Sequence, residues 1–185
     1  MTTQPGDLRD LIASVQIDDV RLVEGISKTT ISAEQMVPGQ LVIQHDAEVA
    51  ATLPGRFTVR ASLVARVVPQ SVTSDDPPLG SEVMVFGAVH ELTYLVPPNK
   101  TYSHETLTQF AKLNGVFNAW PYWRHFVQSA TVDMGLPRIV MPVFRGDLGR
   151  SHRHALELTS PAKPDQAKSN AKPQTRTAGT ARKKR

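Results

Sequence analysis

Residues 117–137, FNAWPYWRHFVQSATVDMGLP, hold the largest side chains of the chain close together. Both tryptophans and one of the three tyrosines lie within the first seven positions of this stretch. Apolar residues then recur at intervals of four, three and four, the spacing of one helical stripe, at Trp123, Val127, Ala130 and Met134. Pro121 is tolerated in a first helical turn, and Gly135 is a common helix terminator. The pattern therefore predicts a helix that begins near Pro121 and ends at Gly135.

The aromatic residues at the start of this helix surround it instead of following one stripe. They are Phe117, Trp120, Tyr122, Trp123 and Phe126. Residues four apart lie on the same side of a helix, so Tyr122 and Phe126 form one side and Trp123 and Val127 a neighbouring one. An arc of this width is too broad for one packing partner. It predicts a subunit interface or an apolar groove in addition to core packing, while a well-filled core remains the alternative.

Four segments that precede this region alternate apolar and polar residues with the period of two of a β-strand. They are residues 15–24, 41–53, 58–68 and 81–96. Pro54-Gly55 joins the second and third segments, because proline presets the first turn position and glycine accepts the positive φ of a type II turn. In the fourth segment Phe86, Leu92 and Tyr94 share one face. Short connections between consecutive strands predict an antiparallel meander.

The character of the chain changes after the fourth strand. Ser103 is a good N-cap, and Asn114-Gly115 predicts the end of a short helix. Residues 138–144 are apolar but contain Pro142, which predicts an extended edge segment. Together these elements predict an α+β fold, in which C-terminal helices pack on one face of a four-stranded antiparallel meander sheet.

Composition divides the chain into three parts. Residues 1–14 form an N-terminal lead-in, residues 15–145 form the folded domain, and residues 146–185 form a tail whose composition predicts disorder. The net charge of +4 is uneven, since residues 151–185 carry nine Lys/Arg and two acidic residues. The basic character therefore belongs to the tail and not to the domain.

Absent features restrict the cellular environment. The sequence contains no cysteine, so disulfides and thiolate ligands are excluded. The N-terminus has acidic residues where a secretory signal has lysines, and no apolar run reaches the length of a membrane span. These observations predict a cytoplasmic protein without a membrane span.

Residues that carry catalysis in other proteins form no recognisable motif here. The segment GISKTT at 25–30 lacks the second glycine of a phosphate-binding loop. Asp18 and Asp19 point to opposite faces of a strand, so they cannot act as a catalytic pair. His152 and His154 lie in the predicted tail without a third metal ligand at a suitable spacing. The sequence thus predicts a protein that is not an enzyme and that holds no metal and no cofactor.

The order of the elements, with residues 117–137 and the following RIVMPVF at 138–144, resembles the SecB family of protein-export chaperones. This family includes the SecB-like chaperones associated with toxin–antitoxin systems. The resemblance is most specific in the aromatic-Pro-aromatic helix start, the glycine at the helix end and the apolar segment after the next proline. It implies an ATP-independent chaperone and homotetramer, a dimer of dimers, that holds unfolded or pre-secretory polypeptides in apolar grooves and passes them to the motor SecA.

The resemblance also implies two sets of contact residues. The set for client binding or the oligomer interface is Phe86, Leu92, Tyr94, Phe117, Trp120, Tyr122, Trp123, Phe126 and Met134. Asp19 and Glu24 match acidic positions on the outer sheet face that contact SecA in family members. The fourth strand has no matching acid at 85–88, and the C-terminus is basic where typical export chaperones are acidic. These departures favour a divergent member of the family.

Three other functions stay open. A divergent member can guard an antitoxin or another specific client instead of serving export in general. The basic tail at 151–185 can bind nucleic acid through phosphate contacts, although the domain is net acidic and has no nucleic-acid recognition motif. A purely structural homo-oligomer is the third function, and it predicts no protection of unfolded proteins.

Overall fold

The structure is a computed structural model that describes residues 7–35, 38–72, 78 and 80–144, and the backbone of residues 151–155. Its helices and strands, in chain order, are α1 (Leu8–Ser14), β1 (Gln16–Thr29), β2 (Gly39–Leu53), β3 (Arg56–Pro69), β4 (Met84–Leu95), α2 (His104–Phe110), α3 (Val116–Asp133) and β5 (Ser151–Ala155). A 3₁₀ turn at Ala33–Gln35 lies between β1 and β2, and a π-helical turn at Ala111–Gly115 joins α2 to α3. In the described part of the chain, no helix is both long and apolar enough to cross a membrane.

The strands form one antiparallel sheet in the order β1-β4-β3-β2-β5. The predicted α+β fold, with four antiparallel strands and a C-terminal helix, is confirmed. The meander applies to β2, β3 and β4, whereas β1 pairs with β4 and not with β2. The connection between β1 and β2 therefore joins strands that are separated in the sheet by β4 and β3. The turn at Pro54 and Gly55 has the predicted geometry, with a φ of 74° at the glycine.

The fifth strand lies in a region where the sequence predicted disorder. Residues Ser151–Ala155 pair with β2 between Gln40 and Gln44 and protect part of that sheet edge. The rest of the predicted tail at 146–185 lies outside the described residues. The division into a lead-in, a domain and a tail therefore stays a prediction.

The core lies between the sheet and the helices. On β4 the apolar face that the sequence predicted is buried throughout, and Phe86, Leu92 and Tyr94 face the helices with no exposed surface. Tyr94 stacks on Phe57 of β3 at 5.1 Å between ring centroids and meets the edge of Phe110 of α2 at 5.0 Å. The main core is thus the apolar layer on the helix side of the sheet, and charged side chains lie on much of the opposite face.

The helices form a continuous helical run. The predicted end at Gly135 is confirmed, since α3 ends at Asp133 and Gly135 has a φ of 67°, but the predicted break between the two helices is wrong. Ser103 is the N-cap as predicted, but Asn114 and Gly115 lie in the π-helical turn and Pro121 lies inside α3. Gly115 has helical angles, and a Cβ placed on it would lie 2.7 Å from Cγ1 of Val59 on β3. The glycine thus permits a close approach of helix to sheet and does not end the helix.

The N-terminal lead-in contains a short helix that the sequence did not predict. The side chain of Asp7 caps α1 by accepting a hydrogen bond of 2.8 Å from the Asp10 backbone N–H. Leu11 is fully buried in the core. Lys100 and Tyr102, in the segment before α2, both bind the Asp10 carboxylate, so α1 is fixed to the body of the domain.

Candidate functional site

Five of the nine residues predicted for client binding or assembly belong to the core of one copy of the chain. Phe86, Leu92, Tyr94 and Trp123 have no exposed surface, and Trp120 is 3% exposed. Trp120 and Trp123 contact each other at 4.9 Å between ring centroids. Burial raises the pKa of Tyr94 to about 12, and its hydroxyl accepts a hydrogen bond of 3.0 Å from the Asn118 side chain. These five residues support the fold, and their side chains are enclosed within one copy of the chain.

The other four predicted residues reach the surface on two sides of α3. Phe117 is 58% exposed and Tyr122 is 47% exposed, while Phe126 and Met134 are partly buried against the core. The Phe117 ring lies toward Phe144, at 6.2 Å between centroids, whereas the Tyr122 ring lies toward His90, at 6.4 Å. The broad aromatic arc predicted from the sequence therefore has exposed members, but the two tryptophans are not among them.

One side of this arc continues onto β1. Ile17, Val20 and Leu22 stand opposite Tyr94, Leu92 and His90 of β4. Since residues directly opposite in an antiparallel pair share a face, the three β1 side chains point toward the helix side of the sheet. Ile17 is 47% exposed and Leu22 is 50% exposed, because the helices do not extend fully over this edge.

Phe126 joins the apolar residues of β1 to α3. A Cβ placed on Gly25 would lie 2.9 Å from Cε2 of Phe126 and 3.6 Å from Leu22, so the ring rests on the β1 backbone where a side chain is missing. The resulting surface, which we name the β1–α3 strip, consists of Ile17, Val20, Leu22, Tyr122 and Phe126. His90 lies buried beneath it, and burial lowers the pKa of its imidazole. The strip is apolar and has a neutral floor.

The strand that carries the strip is an edge strand. β1 has 14 residues, pairs with β4 on one side, and has no other strand beside it in the described part of the chain. Val23 and Ile26 add two further exposed apolar side chains. A long edge with free backbone groups and apolar side chains is suited to bind another chain, because such edges are otherwise short or blocked in soluble proteins.

The face of the sheet that lies away from α3, here called the outer face, is charged. A row of alternating charges crosses four strands, in which Glu48, Arg60, Glu91 and Arg21 are consecutive register partners. Arg21 donates to Oε2 of Glu91 at 2.5 and 3.1 Å, and Arg60 donates to Oε1 at 2.7 Å. Asp19 and Glu24 stand opposite Thr93 and Val89 on this same face and are both exposed.

The row predicts an acid-dependent loss of stability. The Arg21 and Arg60 guanidiniums lower the pKa of Glu91 in the folded chain, so its contribution is present above the usual glutamate pKa and is lost as pH falls through the lowered value. We expect urea midpoints of the wild type to fall toward acid pH, and Glu91→Gln to reduce the midpoint at neutral pH and flatten this dependence. The exposed Glu34→Gln is the matched control. A Glu91→Gln profile that coincides with the wild type contradicts the prediction.

On the second side of the arc, Trp120 is covered by a segment that the sequence predicted as an extended edge. After α3, Ile139 and Met141 are buried while Val140 and Val143 are 63% and 70% exposed, so residues 139–143 run extended with one face on the core. Trp120 donates its indole N–H to the Pro142 carbonyl at 3.0 Å. This hydrogen bond satisfies the polar group of a buried tryptophan and fixes the segment beside α3.

The sheet with its long helical run has a SecB-like fold, as the sequence predicted. Among solved structures, the chain is similar to a Mycobacterium tuberculosis protein described as the Rv1957 SecB-like chaperone in complex with a ChAD peptide from the Rv1956 HigA1 antitoxin. The TM-score is 0.55 at 22% sequence identity, and the match covers 73% of this chain and 94% of that chain. No protein-family model and no curated protein sequence matches the chain.

Proposed function

We propose that this protein is an ATP-independent chaperone that holds unfolded polypeptides on the β1–α3 strip. The observation that carries the proposal is the exposure of Leu22 and Tyr122 beside the buried His90, whose pKa is lowered by burial. Apolar contact is non-directional, so a surface of this kind accepts any extended chain that exposes apolar side chains.

The choice of client is a second part of the proposal. The solved structure with the same fold holds a peptide from an antitoxin, which favours a dedicated client over export in general. On the outer face, Arg21 lies between Asp19 and Glu24 along β1, and the carboxylate of Glu91 is bound by two arginines. This face therefore has fewer free acidic groups for contact with SecA than the resemblance to the family implies. We propose a client-specific chaperone, with export through SecA as the second candidate.

We further propose that the chain assembles as a homotetramer in the cytoplasm. Two surfaces suit the two interfaces of a dimer of dimers: the open edge of β1, and the exposed side of α3 that carries Phe117 and Val132. Linking several copies places several apolar strips on one particle, and a client that binds two strips is held far longer than by one. The basic segment 151–185 remains the candidate for any nucleic-acid contact.

The experiment that tests the chaperone function follows light scattering of an aggregating client with and without the full chain. We expect a molar excess of the wild type to suppress scattering. Leu22→Ser with Tyr122→Ser should require at least about tenfold more protein for the same effect, because full burial of even one such side chain contributes about 1.5–3 kcal/mol.

The matched control is Val143→Ser, which removes an exposed apolar side chain outside the strip. It should protect the client as well as the wild type does. Scattering that the wild type leaves unchanged, or that the strip variant suppresses equally well, would refute the proposed function. Deletion of residues 156–185 distinguishes the nucleic-acid hypothesis, since it should abolish RNA or DNA binding and leave client protection intact.

A further inference from the structure

A recess of about 340 Å³ opens where the β2–β3 turn meets the segment that leads to α2. Phe57 and Leu107, both buried, form apolar parts of its lining, and Leu53, Arg56, Lys100 and Tyr102 also line it. Its volume lies at the lower end of the range of ligand pockets, about 300–1,000 Å³, so it suits one or two side chains of a peptide. None of the residues of the β1–α3 strip lines it.

The walls of the recess are fixed by hydrogen bonds between distant parts of the chain. The Val96 backbone N–H donates to the Gly55 carbonyl at 2.9 Å, which ties the turn to the segment after β4. On the other side, the Tyr102 hydroxyl donates to Oδ2 of Asp10 at 2.9 Å and lies 2.9 Å from the Ser14 hydroxyl. A recess held on both sides needs little ordering when a ligand enters, and this reduces the free-energy cost of binding.

The charge of the recess is positive. Arg56 and Lys100 line it, whereas no acidic residue among those that the structure describes does. Asp10 pairs with Lys100 from behind the wall and raises the pKa of the lysine, which has two further N–H donors. Arg56 is exposed and makes no ion pair within the described part of the chain. One positive charge beside an apolar lining is therefore left without compensation.

We propose that this recess binds peptide segments in which an apolar side chain stands next to a carboxylate. The apolar side chain contacts Phe57 and Leu107, and the carboxylate accepts hydrogen bonds from Arg56 and Lys100. Leu53, which is 51% exposed at the mouth, extends the apolar contact along the peptide. The site goes beyond the proposed holding function, because it adds a charge preference that apolar contact on the strip does not provide.

The test measures fluorescence anisotropy of three labelled hexapeptides with one apolar sequence on the full chain. The first has a free C-terminal carboxylate, the second is amidated, and the third is amidated but carries one internal Glu. We expect at least one carboxylate peptide to bind about tenfold more tightly than the amidated apolar peptide, because charge-assisted hydrogen bonds are the stronger ones. Which of the two carboxylate peptides binds more tightly than the amidated apolar peptide shows whether the recess recognises a chain terminus or an acidic side chain.

Arg56→Gln should abolish this preference, while the exposed Arg9→Gln on α1 should keep it. Leu53→Ser should weaken the binding of all three peptides without changing the order of their affinities. Equal binding of the three peptides overturns the proposal, and so does a preference that survives Arg56→Gln. Octanoate has an apolar chain and a carboxylate but no peptide backbone, so octanoate binding as tight as that of the peptides also overturns it. The proposed holding function on the strip is tested separately from the recess. Leu22→Ser with Tyr122→Ser should reduce client protection and leave the peptide preference of the recess unchanged.

Discussion

Trp123→Ala is expected to lower the free energy of unfolding by about 3–5 kcal/mol, the range for removal of a buried tryptophan or phenylalanine from a core. Trp123 has no exposed surface and lies against Trp120 at 4.9 Å between ring centroids. The space that it leaves does not close fully, because its neighbour Trp120 is held in place by the hydrogen bond from its indole N–H to the Pro142 carbonyl. Urea denaturation followed by circular dichroism measures the change directly.

The control is Phe117→Ala, which truncates another member of the same aromatic arc. Phe117 is 58% exposed, so its truncation should cost less than about 1 kcal/mol. If the two variants lose equal stability, Trp123 does not stabilise the core. The prediction that Trp123 belongs to a client-binding or oligomer-interface surface would then be favoured. The comparison matters because a tryptophan variant that unfolds also loses client protection, and such a loss says nothing about where clients bind.

The sheet was predictable because its two faces differ. Helices cover one face and water the other, so Phe86, Leu92 and Tyr94 alternate with polar or smaller residues along β4. The turn between β2 and β3 was predictable for a local reason as well, since Gly55 needs a positive φ that few other residues adopt. Patterns that depend on the local backbone and on one buried face are visible in the sequence itself.

The errors involve residues whose roles depend on distant partners. Gly115 ends a helix in most local contexts, but here it makes room for Val59, which lies 56 positions earlier in the chain. The pairing of β1 with β4 places strands together that are far apart in sequence, and alternation within each strand contains no information about its neighbour. The α1 helix had a local signal in the cap residue Asp7 followed by Asp10. From the sequence, these acidic residues were interpreted only as evidence against a secretory signal.

For the candidate site, the sequence located the aromatic arc but not its exposed part. Periodicity places Trp120 and Tyr122 around one helix, yet only the fold determines that the Pro142 segment covers Trp120 while Tyr122 remains at the surface. The covering segment itself had a signal, because Ile139 and Met141 alternate with Val140 and Pro142. The alternation was not decisive, since all of these residues are apolar.

The second large effect that we expect is the loss of assembly in Val23→Asp with Ile26→Asp. Both side chains are exposed on the edge strand β1, at 43% and 44%, and the proposed subunit interface encloses them. A carboxylate enclosed without a partner costs about 3–5 kcal/mol, so the dissociation constant of the oligomer should rise at least about 100-fold. Sedimentation velocity at several concentrations should show a tetramer for the wild type and smaller species for the variant.

Ile12→Asp with Leu53→Asp is the matched control for this assembly experiment. These two residues are at least as exposed as the two apolar residues on β1, at 45% and 51%, but they lie on α1 and at the end of β2, outside both proposed interfaces. The control should sediment as the wild type does, and both variants should keep the circular dichroism of a folded chain, since exposed substitutions remove little buried area. A β1 variant that stays tetrameric excludes the β1 edge as an interface. Dissociation of both variants alike attributes the effect to added charge, because one strand edge then has no special role.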